Sequence, residues 1–259
     1  MQFTQIDGVG IHYDWREGQG LPVVFLNSLG TDFRIWDGVV ALLGDAPILR
    51  MDKRGHGLSG LAPFDMDRLA ADAAALMDHL GIGPAIICGV SVGGMIAQAM
   101  AVARPDLVAG LVLCCTGATI GDAALWNDRI EATRTTGLEP MGDAVMQRWF
   151  SPDFHEQRAA ELAGYRNMLV RTPAAGYAAV SEAIRDADLT SGTRTIAVPT
   201  ICIAGEHDKA TPPELVRTLS GLIEGAELHV IPGVGHLPGI ESADEVARHV
   251  AGLRDRLAS

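Results

Sequence analysis

One serine set between two glycines, Gly89-Val90-Ser91-Val92-Gly93, carries the strongest chemical signal in these 259 residues. The apolar run Ala85-Ile86-Ile87-Cys88 precedes it, and the helix-like Met95-Ile96-Ala97-Gln98-Ala99-Met100 follows. A strand that turns at once into a helix forces its corner residue into a strained backbone conformation. Residues two positions away must then be small, because the two backbones nearly touch. The pattern is that of a nucleophile elbow, which lifts a serine hydroxyl clear of a sheet. A serine hydroxyl is a poor nucleophile at neutral pH unless a base lies within hydrogen-bond reach and a third group orients that base.

With such an elbow the chain order runs serine, acid, histidine. Asp208 follows the apolar Thr200–Ala204 in Gly205-Glu206-His207-Asp208, with Pro212-Pro213 closing the loop. A carboxylate there can accept the imidazole Nδ1 proton; Glu206, the local rival, sits next to the strand and is expected to point elsewhere. His236 lies in Pro232-Gly233-Val234-Gly235-His236, a glycine-rich loop able to fold inward over the serine. Of the eight histidines, His12, His79, His229 and His249 fall in strands or helices and read as surface or packing residues. His155 lies in a helical stretch, His207 adjoins the acid, and His56 belongs to the turn Asp52-Lys53-Arg54-Gly55-His56-Gly57-Leu58-Ser59, read as scaffold. An oxyanion also needs donors. One is expected from the N–H of Val92, the other from Asn27-Ser28-Leu29-Gly30, with Leu29 favoured over Ser28. The Ser28 hydroxyl is in addition a candidate for direct substrate contact.

Short apolar runs that alternate with helical patterns would position these groups on a mainly parallel sheet. The runs are Ile11–Trp15, Val23–Asn27, Ile48–Asp52, Ala85–Gly89, Leu111–Cys115, Thr200–Ala204 and Glu227–Ile231. Helical text covers about Ile35–Leu43, Met66–Leu80, Val92–Ala103, Pro213–Ile223 and Ala243–Leu257, with Leu69, Ala73, Leu76 and Leu80 at helical spacing. From Ala118 to Ser191 strand-like runs vanish and amphipathic helices take over, broken at Pro140, Pro152 and Pro173. The expected organisation is an α/β core over residues 1–117 and 192–259, with a helical cap, 118–191, roofing the carboxyl ends of the strands where open α/β sheets bind ligands.

A net charge of −12 argues against nucleic acid and anionic membrane surfaces as partners and suits solubility. Cys88, Cys114, Cys115 and Cys202 lie in apolar runs without metal-ligand spacing and read as small buried hydrophobes. The first residues lack a basic-then-apolar leader pattern, and no run of about 18 apolar residues exists, so a soluble cytoplasmic protein is the default expectation.

Across nearly its full length the chain resembles the α/β-hydrolases, and within them the 3-oxoadipate enol-lactonases. The resemblance rests on Asn27-Ser28-Leu29-Gly30-Thr31-Asp32 with Trp36-Asp37, on Arg54-Gly55-His56-Gly57-Leu58-Ser59, and on Cys88-Gly89-Val90-Ser91-Val92-Gly93-Gly94-Met95-Ile96. It continues in the cap, through Leu113–Gly121, Arg148-Trp149-Phe150-Ser151-Pro152, Gly176-Tyr177-Ala178-Ala179 and Ala183–Leu189. Val180-Ser181, Asn27-Ser28 and Gly235-His236-Leu237-Pro238-Gly239 depart from the usual pattern, the last altering the wall beside the histidine.

The resemblance implies the α/β-hydrolase fold: a mostly parallel eight-stranded sheet flanked by helices, with the cap inserted after strand 6. It also implies a Ser91, Asp208, His236 triad, no metal or organic cofactor, and a small anionic lactone as substrate. An anionic substrate in an acidic protein calls for a local cation, and with only Lys53 and Lys209 as lysines the candidates are Arg129 and Arg148. Trp126 and Trp149 would supply apolar walls. The competing reading packs Trp149 in the cap's own core and pairs Arg148 with a surface acid. Two other functions stay open: an esterase or lactonase acting on another small ester, and a non-catalytic ligand receptor on the same fold. Oligomeric state is not legible.

Overall fold

In the computed structural model, which describes residues 1–258, eight strands form one sheet. They are β1 (Gln2–Ile6), β2 (Val9–Arg16), β3 (Val23–Leu26), β4 (Ile48–Met51), β5 (Ala85–Val90), β6 (Val108–Cys114), β7 (Thr200–Gly205) and β8 (Glu227–Ile231). Their order is β1-β2-β4-β3-β5-β6-β7-β8, antiparallel at β1/β2 and β2/β4 and parallel from β4 onward. Every residue of β5 and β7 is buried, as expected of parallel strands covered on both faces.

Three helices precede β6: α1 (Asp37–Leu42), α2 (Met66–Leu80) and α3 (Val92–Ala103). α2 shows why such segments are helical. Asp65 caps its start by accepting the Arg68 N–H at 2.8 Å, Gly81 ends it at φ +66°, and Leu69, Ala73 and Leu76 line its buried face. Between β6 and β7 lie only helices: α4 (Ala123–Thr136), α5 (Gly142–Trp149), α6 (Pro152–Gln157), α7 (Ala159–Val170), α8 (Ala174–Asp186) and α9 (Thr190–Thr193), with one 3₁₀ turn at Glu139–Met141. Pro152 opens α6 and Pro173 is the N-cap of α8, so these prolines act as helix starts. α10 (Pro213–Ser220), α11 (Pro238–Glu241) and α12 (Ala243–Ala258) complete the chain. Among the described residues no helix is long and apolar enough to cross a membrane.

Two elements differ from expectation. The seven apolar runs omit β1, which pairs with β2 through a two-residue hairpin at Asp7 (φ +44°) and Gly8 (φ +74°). Asp-Gly is a strong signal for such a turn, but β1 is a polar edge strand whose Phe3 is exposed, so its apolar pattern is faint. The helix expected at Ile35–Leu43 divides into a 3₁₀ turn, Phe33–Trp36, and α1, because Asp32 caps the turn by accepting the Arg34 N–H.

The Asp52–Ser59 turn is scaffold, and its ties are specific. Asp52 accepts the N–H groups of Phe33 (2.9 Å) and Leu58 (3.0 Å) and pairs with His12 Nδ1 at 2.7 Å. Arg54 forms a fully buried ion pair with Asp72 of α2, with Nη2 to Oδ1 at 2.8 Å.

Candidate active site

Ser91 sits between β5 and α3 at φ +58°, ψ −122°, a left-handed conformation that costs about 1–3 kcal/mol in a non-glycine residue and persists only where the surroundings enforce it. Here they do. A Cβ on Gly89 would lie 2.2 Å from the Gly93 carbonyl oxygen, and one on Gly93 would lie 2.2 Å from that of Leu26. Glycine is therefore required on both sides of the serine, because β3, β5 and α3 meet there backbone to backbone. The Ser91 N–H donates to the Cys114 carbonyl (3.0 Å), and Thr116 Oγ1 donates to the Ser91 carbonyl (2.6 Å), tying the elbow to the end of β6.

The same end of β6 holds the acid loop, through Thr211 Oγ1 at 2.8 Å from the Cys115 carbonyl. Asp208 and His236 are brought together, Oδ2 to Nδ1 at 2.9 Å, with both side chains essentially fully buried. Asp208 Oδ1 accepts the N–H groups of Ala210 (2.7 Å) and Thr211 (2.9 Å), and the Thr211 hydroxyl reaches Oδ2 at 2.6 Å. Burial by itself would push the Asp208 carboxyl up. The adjacent His236 and the Thr211 donors outweigh it and hold the carboxyl below its ordinary range. Glu206 is turned away, half-exposed and accepting the Gly233 N–H at 2.8 Å.

His12 with Asp52 is a second buried histidine–carboxylate pair, but both Asp52 oxygens already hold the turn together. Cys115 lies close to Asp208 and His236. Burial, and then the Asp208 charge, push its thiol far up, so it remains a protonated S–H facing the Gly235 carbonyl at 3.8 Å.

The loop carrying His236 is fastened to the inter-strand helices. The His236 N–H donates to the Trp149 carbonyl (2.7 Å), while Glu241 accepts the N–H groups of Gly235 (2.9 Å) and Ser151 (3.1 Å). A Cβ on Gly235 would lie 2.4 Å from the Trp149 carbonyl oxygen. Gly235→Ala should therefore destabilise the protein by about 1–3 kcal/mol, as overpacking does. It should also lower kcat by roughly 10- to 100-fold through displacement of the imidazole. Thermal unfolding and ester kinetics check this; wild-type values of both would contradict it.

Val92 is the first residue of α3, so its N–H has no helical partner. Among the described residues the Leu29 N–H also meets no acceptor. Gly93, the residue after Val92, packs against the segment that leads into Leu29: a Cβ on it would also lie 3.1 Å from the Asn27 carbonyl oxygen. Ser28 is buried, and its carbonyl points into the protein. Gly30 donates its N–H to His56 Nε2 at 2.9 Å; burial drives the His56 pKa well down, so the ring is neutral and free to accept.

Trp149 lies within reach of this loop, its ring 3.5 Å from the position of a Gly30 Cβ and edge-on to Phe150. Trp126 is buried, its indole N–H donates to the Ile120 carbonyl, and Arg129 lies over its ring at 5.3 Å. Arg129 and Arg148 form no ion pair among the described residues, so Arg148 does not pair with a surface acid. Burial, and then the charge of Arg129, pull the Arg148 pKa down, with Asp208 and Tyr177 opposing. Tyr177 is buried against Gly30, and burial raises its pKa against the pull of both arginines. Thr211, Glu241 and Tyr177 carry no local signal of a role in the sequence.

A model of the alpha/beta hydrolase family matches residues 23–249. The chain belongs to that family. It is 35% identical over 222 residues, 85% of this chain and 83% of the relative, to 3-oxoadipate enol-lactonase 2 of Acinetobacter baylyi. The crystal structure of the enol-lactonase from Burkholderia xenovorans LB400 is similar at 36% identity and a TM-score of 0.94, covering 97% of this chain and 99% of that one. A thermophilic esterase from Thermogutta terrifontis, solved with malate bound, is similar at 26% identity and a TM-score of 0.91, covering 99% and 97%. The eight-stranded α/β-hydrolase fold is as expected, and the protein is a hydrolase.

Proposed function

We propose that this hydrolase opens 3-oxoadipate enol-lactone to 3-oxoadipate through an acyl-enzyme on Ser91. Ser91 Oγ attacks the lactone carbonyl while His236, its Nδ1–H held by Asp208, takes the hydroxyl proton on Nε2. The N–H groups of Leu29 and Val92 receive the oxyanion. Collapse breaks the ring C–O bond, and the leaving enolate takes the proton from the imidazolium. The enol settles as a ketone, which makes reclosure unfavourable, and the acyl chain stays on the serine. Water, deprotonated by His236, then attacks the acyl carbon and frees the acid. The reaction would serve the catabolism of aromatic compounds.

The observation that carries the substrate class is the pair Arg129 and Arg148, two guanidinium groups without carboxylate partners among the described residues, beside Tyr177 and within the field of Asp208. Placing two cations together under burial is unfavourable until an anion joins them, and a planar guanidinium grips a carboxylate with two bonds. The similarity to enol-lactonases over nearly the whole chain supports the same reading. Mixing the enzyme with the enol-lactone should abolish the lactone's ultraviolet absorbance and yield 3-oxoadipate. Slow turnover of that lactone beside fast turnover of p-nitrophenyl acetate would favour a simple esterase instead. That second reading draws on the malate-bound esterase neighbour and on the altered wall Leu237-Pro238-Gly239.

Arg148→Ala should lower kcat/KM for the lactone by roughly 10- to 150-fold, the worth of a charge-assisted hydrogen bond, mainly through KM. It should change p-nitrophenyl acetate hydrolysis by less than about threefold, because that ester carries no carboxylate. Equal losses on both substrates would contradict the assignment.

A further inference from the structure

Lys53 is almost fully buried, and its amino group is spent on backbone: Nζ donates to the carbonyl of Ser28 at 2.5 Å and to that of Asn27 at 3.3 Å. The Ser28 carbonyl and the Leu29 N–H belong to one peptide unit. The chain contains no cis peptide bond among the described residues, so these two groups point in opposite directions across a rigid plane. A donor that holds the carbonyl inward therefore turns the Leu29 N–H the opposite way, away from Lys53.

We infer that Lys53 is a positioning residue for the oxyanion hole, clamping the Ser28–Leu29 peptide so that its N–H is presented to the reacting carbonyl oxygen. This rests on the serine-hydrolase reading above, with Leu29 as second donor. Among the described residues the Ser28 carbonyl has one other side-chain donor, the Thr31 hydroxyl at 2.9 Å, supported by the Thr31 N–H at 3.4 Å. Thr31 belongs to the loop itself and moves with it, whereas Lys53 stands in the adjoining turn fixed by Asp52 and the Arg54–Asp72 pair. His56 of that turn holds Gly30 from the other side. The loop is thus gripped at a carbonyl before Leu29 and at an N–H after it, and the peptide cannot flip without breaking the Lys53 contacts. Donation from Nζ to the carbonyl end also polarises the amide and strengthens its N–H as a donor. The lysine is held there at a cost. Burial brings its pKa down to about 7, against the opposing charges of Asp52 and Asp32, and a group kept in such a place only to fill space would be apolar.

Wild-type and Ser91→Ala proteins are compared first on p-nitrophenyl acetate; turnover that survives the serine substitution defeats the hydrolase reading itself, before Lys53 is touched. Lys53→Met, of similar length and without a donor, should then lower kcat by roughly 10- to 100-fold with KM moved less than about threefold. Affinity for phenylboronic acid, which forms a tetrahedral adduct on serine, should fall by the same factor as kcat. Wild-type kcat and boronate affinity in folded Lys53→Met overturn the inference, as does a loss confined to KM. A second readout needs no variant at position 53. The chain has only two lysines, Lys53 and Lys209, so protein labelled with ¹⁵N-lysine gives two side-chain resonances, assigned with Lys209→Arg. Formation of the boronate adduct should shift the Lys53 resonance and leave Lys209 in place. A Lys53 signal indifferent to the adduct overturns the inference.

Discussion

Replacing Ser91 by alanine should abolish turnover, lowering kcat by roughly 10⁶-fold while the protein stays folded. The reason for expecting so clean an effect lies in the backbone. The φ of +58° is imposed by the contacts at Gly89 and Gly93, not by the serine side chain, whose oxygen anchors nothing in the elbow. Alanine meets the same left-handed strain as serine, so Ser91→Ala removes the nucleophile and leaves the corner as it was. Loss of enol-lactone absorbance and release of p-nitrophenol both report the result, with the melting temperature as control. Activity near the wild-type value would remove Ser91 from the chemistry.

Replacing Asp208 by asparagine should lower kcat by about 10⁴-fold through the wrong imidazole tautomer. The neighbours of Asp208 decide which way the new amide faces. Oδ1 receives two backbone N–H groups, from Ala210 and Thr211, which an amide oxygen can accept and an NH₂ group cannot. The amide would then turn its NH₂ toward His236, forcing Nδ1 to accept and placing the proton on Nε2. An Nε2–H cannot take a proton from serine. Steady-state kinetics on p-nitrophenyl acetate measure the loss, and a decrease of less than about tenfold would show that the pair does not set the tautomer. The substitution also has a signature in stability. The Asp208 carboxyl titrates below its ordinary value in the folded protein. Its contribution is therefore present above about pH 3.9, the unfolded value, and is lost as pH falls through the folded value. Asp208→Asn should flatten that part of the acid unfolding curve.

Much of this is legible in the chain itself. The elbow is, because a strand-to-helix corner leaves only glycine at positions 89 and 93, and that steric demand is written locally. The parallel strands are, since burial on both faces makes β5 and β7 continuous apolar runs. β1 is not, because an exposed edge strand needs little apolar patterning, although Asp7-Gly8 announces its turn. Thr211, Tyr177, Glu241 and Lys53 lie out of reach for a different reason. Each matters through a partner far away in sequence, as Glu241 does in joining Gly235 to Ser151, and no periodicity records such a pairing. Lys53 belongs to a turn whose residues read as scaffold, and only the fold shows that its side chain reaches the Ser28 carbonyl.

The central claim is that Ser91 is the nucleophile and that His236 activates it. Treating the protein with diethyl p-nitrophenyl phosphate and weighing it intact tests that claim most directly. A single diethylphosphoryl adduct is expected, located on the peptide that carries Ser91, absent in Ser91→Ala and greatly slowed in His236→Gln. An adduct on any other residue, or undiminished ester hydrolysis in protein fully modified at Ser91, would contradict it.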